Sequence, residues 1–180
     1  FPVREAELNA SMSYLNIQEG QSVQVGGVNV RSMLLNHPVL NFGYRVECGG
    51  KVFVFTGDHE WPFNIYDQDD PDYADYQQMV DEQCSRVVEF FRDADVLVID
   101  TAYTDAEYPS RKGWGHGTFG SSIEAAREAG VKRVFLTHHE PTRSDAALEL
   151  AYDEARKSHG VGREGDPRFD LAREGEMIEI

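Results

Sequence analysis

The chain has 180 residues, 41% of them apolar and 27% charged, a composition typical of one globular domain with its own core. Its 32 acidic residues outnumber 17 basic ones, and the resulting net charge of −15 disfavours long nucleic acids as partners. No apolar run approaches the roughly 18 residues that a membrane span requires. We therefore expect one domain over residues 1–180 with no membrane partner.

The two cysteines, Cys48 and Cys84, are too few for a disulfide scaffold. We interpret them as reduced thiols in a cytoplasmic protein, with one buried disulfide as the alternative. The chain begins with Phe1 instead of methionine. We therefore expect a fragment, a processed product or a trimmed chain.

The first third of the chain shows the alternation of apolar residues that is typical of antiparallel strands. Cys48-Gly49-Gly50 separates two alternating segments and favours a hairpin, because glycine readily adopts the positive φ angles of tight turns. One strand ends at His37 and another at Asp58. The predicted strands are 23–25, 28–35, 42–47 and 51–56.

The rest of the chain alternates between helical and strand patterns, which predicts a mixed α/β layer structure. Acidic residues in 61–76 indicate a solvated loop, because the segment lacks the central glycine and closing glutamate of an EF-hand. Ser121 with Glu124 predicts a capping box at the start of one helix, and Ser144 predicts the cap of another. The predicted helices are 76–92, 121–129 and 144–158, and the further strands are 96–99, 131–137 and 177–180.

Three predicted strand ends carry the residue types of a metal site. His37, Asp58 and His138 supply two imidazoles and a carboxylate that could bridge two cations, as a dinuclear metal hydrolase requires. Their spacing is not a local ligand motif. The alternative is that both histidines are hydrogen-bonded at strand ends and that Asp58 is a turn residue.

Five segments together resemble the second half of metallo-β-lactamase-fold hydrolases. The similarity is to their phosphodiesterase branch, which includes RNase Z and small cyclic-phosphate phosphodiesterases. The resemblance implies an αββα sandwich of which this chain is the C-terminal part. The segments, in chain order, are LNHPVLNFGYRVE, FTGDHE, LVIDTAYT, GWGHGT and LTHHEPTRSD.

The resemblance also implies a role for individual residues. His37, Asp58 and His138 match the family's metal ligands, with Asp58 as the bridging carboxylate. His116 matches a catalytic histidine that does not bind metal, and Asp100 matches an acid that orients it. An acid that accepts an imidazole N–H fixes the tautomer of the ring, so this pairing is chemically reasonable. His59, beside Asp58, is expected to face either solvent or the site.

The His-x-His-x-Asp-His signature, which supplies four more ligands in this family, is absent from the sequence. We therefore expect two divalent cations, zinc or alternatively manganese, in a complete domain, and weak or absent binding by this chain alone. In one interpretation the chain is part of a phosphodiesterase for a small nucleotide or cyclic phosphate. In the other it is an inactive domain that serves as a binding or dimerisation module. The sequence does not decide between a monomer and a homodimer.

Overall fold

A computed structural model describes residues 4, 7 and 9–180. Within these residues it contains seven strands, three α-helices and a short 3-10 turn at Tyr108–Ser110. The strands are β1 Ser22–Val25, β2 Val28–Leu35, β3 Asn41–Cys48, β4 Lys51–Phe55, β5 Val96–Asp100, β6 Arg133–Thr137 and β7 Arg168–Leu171. The helices are α1 Tyr73–Phe91, α2 Phe119–Glu128 and α3 Asp145–Ser158.

The seven strands of the described residues form one sheet in which every strand pairs with its neighbours in sequence. Strands β1 to β4 are antiparallel, and β4 to β7 are parallel. The predicted hairpin is confirmed, because Cys48 pairs with Lys51 across Gly49 and Gly50, which have φ angles of 57° and 77°. Positive φ at both turn positions is the geometry that matches the twist of the flanking strands.

The core lies between one face of the sheet and the helices. Val54, Leu97 and Val134 are in register on neighbouring strands, and all three are buried with the helical residues Phe91 and Ile123. Apolar residues at helical spacing provide the matching face of α1, as its sequence pattern predicts. This side of the fold is therefore a conventional sheet-on-helix layer.

The opposite face of the sheet carries apolar side chains that remain partly exposed. Tyr44 and Phe55 pair on β3 and β4 and are each 40% exposed, and Leu34 on β2 is 37% exposed. Val98 continues the same row on β5. An apolar sheet face of this kind normally packs against a second layer.

Two sequence predictions are wrong, the capping box of the second helix and the last strand. Helix α2 begins two residues earlier than predicted, and its capping box is Thr118 with Ser121, not Ser121 with Glu124. Residues 177–180 do not form the predicted strand, and the last described strand is Arg168–Leu171. The reason is that Phe169 and Leu171 are in register with the buried residues of β6 and fill the place beside it.

Both cysteines are free thiols, as predicted. Helix α3 is capped by Ser144, whose hydroxyl accepts a hydrogen bond from the backbone of Ala147, again as predicted. Among the described helices, none has the length and apolar character needed to cross a membrane.

The cap of α2 gives a test of this local structure. Thr118→Ala should lower the free energy of unfolding by about 1 kcal/mol, because a backbone N–H at the helix start loses its side-chain acceptor. The measurement is urea denaturation followed by circular dichroism. Thr142→Ala is the control, since this exposed hydroxyl bonds Glu140 in a turn. A loss of less than about 0.5 kcal/mol is expected there, and equal losses in both variants would contradict the assignment.

Candidate metal centre

The candidate site lies at one edge of the sheet, where several strands end. Because β2 and β4 are both antiparallel to β3, and β4 to β6 are parallel, the C-terminal ends of these strands share an edge. His37, Asp58 and His138 each follow one of these strands, and Asp100 is the last residue of β5. The topology therefore brings together residues that are far apart in the sequence.

Asp58 stands between two imidazoles. Its Oδ2 lies 3.6 Å from Nε2 of His37, and its Oδ1 lies 3.4 Å from Nδ1 of His138. Nδ1 of His37 is 2.8 Å from the carbonyl oxygen of Val39, a contact in which the ring N–H donates and leaves Nε2 free as a ligand atom. One carboxylate oxygen thus faces each ring, the arrangement that a bridging carboxylate requires.

His116 lies beside these groups and is held by Asp100. Nδ1 of His116 is 2.8 Å from Oδ2 of Asp100, which also accepts the backbone N–H of His59 at 3.0 Å. Asp100 is only 1% exposed. Its hydrogen bond raises the pKa of His116 above the ordinary value of 6.5, although burial of the ring opposes the shift. The raised pKa favours the imidazolium near neutral pH.

The donor atoms fit a divalent cation. Asp58, Asp100, His116 and His138 each direct a ligand atom into one cluster, in which these atoms all lie within 4.8 Å of one another. Oδ1 of Asp100 is buried and has no hydrogen-bond partner among the described residues. Imidazole nitrogens and carboxylate oxygens are the ligands that zinc and similar cations take in proteins.

The structure thus brings together all five residues singled out in the sequence, but it groups them differently. His37 contacts Asp58 and is not a member of the four-residue cluster, whereas His116 and Asp100 are. The rings of His116 and His138 are stacked, with centroids 4.6 Å apart. The division of these residues into ligands and catalytic groups therefore stays a prediction.

Glu60, which no sequence pattern singles out, is almost fully buried beside the site. Its carboxylate accepts hydrogen bonds from the backbone N–H groups of Gly113 and Gly115 and from the hydroxyl of Tyr108. Glycine-rich loops expose backbone N–H groups that need acceptors, but Glu60 lies 53 and 55 residues before these glycines, so the sequence carries no local signal for the pairing.

Two further histidines, the buried His59 and the half-buried His139, have buried ring nitrogens with no hydrogen-bond partner among the described residues. The His59 ring is buried and packs edge-on against Trp61, with centroids 5.2 Å apart, so it does not face solvent. Burial lowers the pKa of His59 to about 3 and also lowers that of His139. Both rings are therefore neutral near neutral pH.

A family model for the β-lactamase superfamily domain matches residues 2–139. The chain belongs to the β-lactamase superfamily. The resemblance stated from the five sequence segments is confirmed, and the mixed sheet with its helices agrees with the fold of that family.

Curated relatives support the same branch of the superfamily. Ribonuclease Z of Staphylococcus aureus (strain MSSA476) is 27% identical over 203 residues, covering 98% of this chain and 65% of that protein. Ribonuclease Z of Thermoplasma acidophilum is 26% identical over 186 residues, covering 87% of this chain and 56% of that protein. The chain thus spans less than two thirds of the length of these relatives.

Solved structures agree in fold. The metallo-β-lactamase fold protein YhfI of Bacillus subtilis superposes with a TM-score of 0.62 and 20% identity, over 89% of this chain and 53% of that chain. Yeast PDE1 superposes with a TM-score of 0.58 and 17% identity, over 89% of this chain and 48% of that chain. At these identities the similarity shows the fold alone.

The pair of Asp100 and His116 gives a pH prediction for the metal-free chain. Asp100→Asn should lower the pKa of His116, because the hydrogen bond that raises it is weakened while burial remains. The measurement is an NMR titration of the ring protons. The control is Asp170→Asn, which removes an acid on β7 that is paired with Arg133 on β6. This variant should leave the titration of His116 unchanged.

The same shift sets the sign of a stability effect. Because the pKa of His116 is raised in the folded chain, the pair stabilises the fold fully below pH 6.5, and this contribution is lost as pH rises through the raised pKa. Unfolding free energies of the wild type and Asp100→Asn should therefore differ more at pH 6 than at pH 9. A difference that grows with pH would contradict the assignment.

Proposed function

We propose that this chain supplies the C-terminal part of a metal-dependent phosphodiesterase that acts on a small nucleotide or cyclic phosphate. The observation that carries the proposal is the position of Asp58, with one carboxylate oxygen toward His37 and the other toward His138. His116, held by Asp100, lies against the same group of residues. Membership of the β-lactamase superfamily and relatives named Ribonuclease Z support the proposal.

In this proposal His37, Asp58 and His138 would hold two divalent cations, zinc or alternatively manganese, and Asp58 would be the shared ligand. When bound, such cations activate a water molecule near neutral pH and neutralise charge on phosphoryl oxygens. The two Asp58 oxygens face different rings, which suits a shared ligand better than a simple ion pair.

His116 acts as the general acid in the proposed reaction. Asp100 occupies its Nδ1, so Nε2 is left to donate a proton to the leaving oxygen. In the metal-free chain, the hydrogen bond to Asp100 raises the pKa of His116, which favours the protonated ring that a general acid needs. Asp100, which is buried and also accepts the His59 backbone N–H, fixes the orientation of the ring.

An upstream segment completes the site in our proposal. Catalytic zinc usually has three protein ligands, and His37, Asp58 and His138 give each of two cations only one histidine and a shared carboxylate. Tyr44, Phe55 and Leu34 leave an apolar sheet face partly exposed, as expected if a second layer packs there. The chain covers 65% of the length of Ribonuclease Z of Staphylococcus aureus, which leaves room for such a segment.

Charge and local contacts favour a small substrate. The chain has a net charge of −15, which disfavours contact with many phosphates of a long RNA. Of the basic residues in the loop before His116, Arg111 lies over the ring of Trp114 and Lys112 over that of Phe63. These cations are already engaged with aromatic rings, so they provide at most a small phosphate-binding spot.

A second candidate function is an inactive binding or dimerisation module. The partly exposed apolar row of Leu34, Tyr44 and Phe55 favours it, because a second copy of the chain could cover this face. The two candidates predict different behaviour. In the first, an upstream segment gives a monodisperse protein that binds metal. In the second, the chain self-associates and does not gain metal binding.

Metal binding tests the proposal directly. Zinc titration by calorimetry should show no pair of submicromolar sites in the 180-residue chain, and two such sites once the chain is joined to its native upstream sequence. The joined protein should hydrolyse bis(p-nitrophenyl) phosphate and cyclic nucleotides, and chelation with EDTA should abolish the activity. Light scattering, recorded in parallel, measures whether the 180-residue chain and the longer protein self-associate. Two tight sites in the chain alone, or a longer protein without metal, would contradict the proposal.

Two variants of the longer protein separate the predicted roles. His116→Ala should lower kcat by about 100-fold or more and leave the metal content unchanged, because a general acid is lost but no ligand. Asp58→Ala should lower the metal content itself. Metal content is measured by plasma emission spectroscopy. Loss of metal in His116→Ala would show that the four-residue cluster, and not the predicted ligand set, holds the cation.

A further inference from the structure

We infer that Glu60 is a positioning residue that fixes the glycine-rich segment 113–117 and thereby places His116 against the candidate metal centre. The catalytic meaning of this inference rests on the proposed function, but the positioning itself does not. Glu60 comes from the turn after β4, whereas the segment that it holds precedes α2. The carboxylate therefore joins two parts of the chain that the sheet does not connect.

The contacts of Glu60 are short and use both carboxylate oxygens. Oε1 accepts the backbone N–H of Gly113 at 2.7 Å and the hydroxyl of Tyr108 at 2.7 Å, and Oε2 accepts the backbone N–H of Gly115 at 2.8 Å. Burial and the bond to Glu60 raise the pKa of Tyr108, so its hydroxyl remains a donor. Three donors compensate for the burial of a carboxylate that is 2% exposed.

Gly115 is bonded to Glu60 and also lies against the candidate site. Its φ angle is +97°, and an added Cβ would lie 2.3 Å from Cδ2 and 2.8 Å from Nε2 of His37. The backbone at Gly115 therefore lies directly against the predicted ligand. Since Oε2 of Glu60 holds the N–H of Gly115, and His116 is the next residue, this hydrogen bond constrains the backbone that carries His116.

The turn that carries Glu60 also contacts Asp100, the acid that binds the ring of His116. The backbone N–H of His59 binds Oδ2 of Asp100, and that oxygen accepts Nδ1 of His116. Residues 58–60 thus contribute a predicted ligand, a backbone donor to the acid that orients His116, and the acceptor for its loop. The backbone of Glu60 is itself tied to Asn36, beside His37, through its N–H and carbonyl groups.

Gly117 shows how little freedom remains in this segment. A Cβ at this position would lie 2.8 Å from the carbonyl oxygen of Asp100 and 3.3 Å from that of His59. Any residue with a side chain would therefore crowd these backbone atoms at position 117. In this chain the loop passes close to the turn after β4. Its end is held by the backbone N–H of Tyr103, which binds the carbonyl of Gly117, and its first part is held by the carboxylate of Glu60.

Glu107 provides a matched control from the same loop. Its carboxylate also accepts a backbone N–H, that of Thr104, and it pairs with Arg143. It is far more exposed than Glu60, and its backbone contact is only three residues away in sequence. Glu107→Gln therefore removes the charge of a loop carboxylate without touching segment 113–117.

The first test does not require activity. In the metal-free 180-residue chain, Glu60→Gln should accelerate hydrogen exchange of the Gly113 or the Gly115 amide by about 10-fold or more, because a side-chain amide has one oxygen and must turn its NH2 group toward one of these two N–H groups. NMR contacts between the rings of His116 and His138 should weaken in the same variant. Glu107→Gln should change neither observable. Unchanged exchange and ring contacts in Glu60→Gln would overturn the inference.

The second test uses the longer, metal-loaded protein. Glu60→Gln should lower kcat for bis(p-nitrophenyl) phosphate by about 10- to 100-fold, as is typical for groups that orient catalytic residues. KM should stay within about threefold and the metal content should not change, because the substrate and the cations are still bound. Tyr108→Phe removes one donor and spares both amides, so its effect should be smaller.

The two tests fail in different ways. A wild-type protein that hydrolyses no phosphodiester would contradict the proposed function, and the exchange measurements would still decide whether Glu60 holds the segment. A fall in metal content or in kcat/KM through KM alone in Glu60→Gln would contradict positioning of His116. Equal effects of Glu60→Gln and Glu107→Gln would reduce the role of Glu60 to general loop stability.

Discussion

The buried carboxylate of Asp100 is the interaction on which the candidate site depends. It lies at the end of a central strand, its backbone N–H binds the hydroxyl of Thr56 at the end of β4, and its carbonyl accepts the hydroxyl of Ser122 in α2. One side-chain oxygen, Oδ2, accepts both the backbone N–H of His59 and the ring N–H of His116. A buried charge is stable only when its environment supplies donors, so strand, helix and loop must all be in place around it.

Local sequence patterns predicted those features whose causes are local. The hairpin at Gly49-Gly50 and the cap at Ser144 follow from turn chemistry and capping, which need only neighbouring residues. The capping box of α2 was wrong because Ser121 fits either pattern, and its tertiary position decides between them. The last strand was wrong for a similar reason, since 177–180 and 168–171 both alternate, and only one can occupy the edge beside β6.

The predicted residues of the site came from strand ends, and the missed residue did not. His37, Asp58 and His138 follow apolar strands, so the sequence marks them as members of one sheet edge. Glu60 finds its partners 48 to 55 residues further along the chain, and no periodicity connects them. The two histidines with buried ring nitrogens, His59 and His139, were equally hidden, because burial of an imidazole depends on packing from several elements at once.

The electrostatics of the site explain why positioning requires buried acids. Asp100, Asp58 and Glu60 all act on the charge of His116 and favour its protonated form. Three carboxylates around one imidazole would repel a phosphodiester, so bound cations would supply the positive charge that such a substrate needs. The strand ends need no further support, since the sheet fixes them. The glycine-rich segment before α2 lies outside the sheet. Glu60, which accepts two of its backbone N–H groups, and Asp100, which accepts the ring of His116, help to give His116 the fixed position that the strands give His37 and His138.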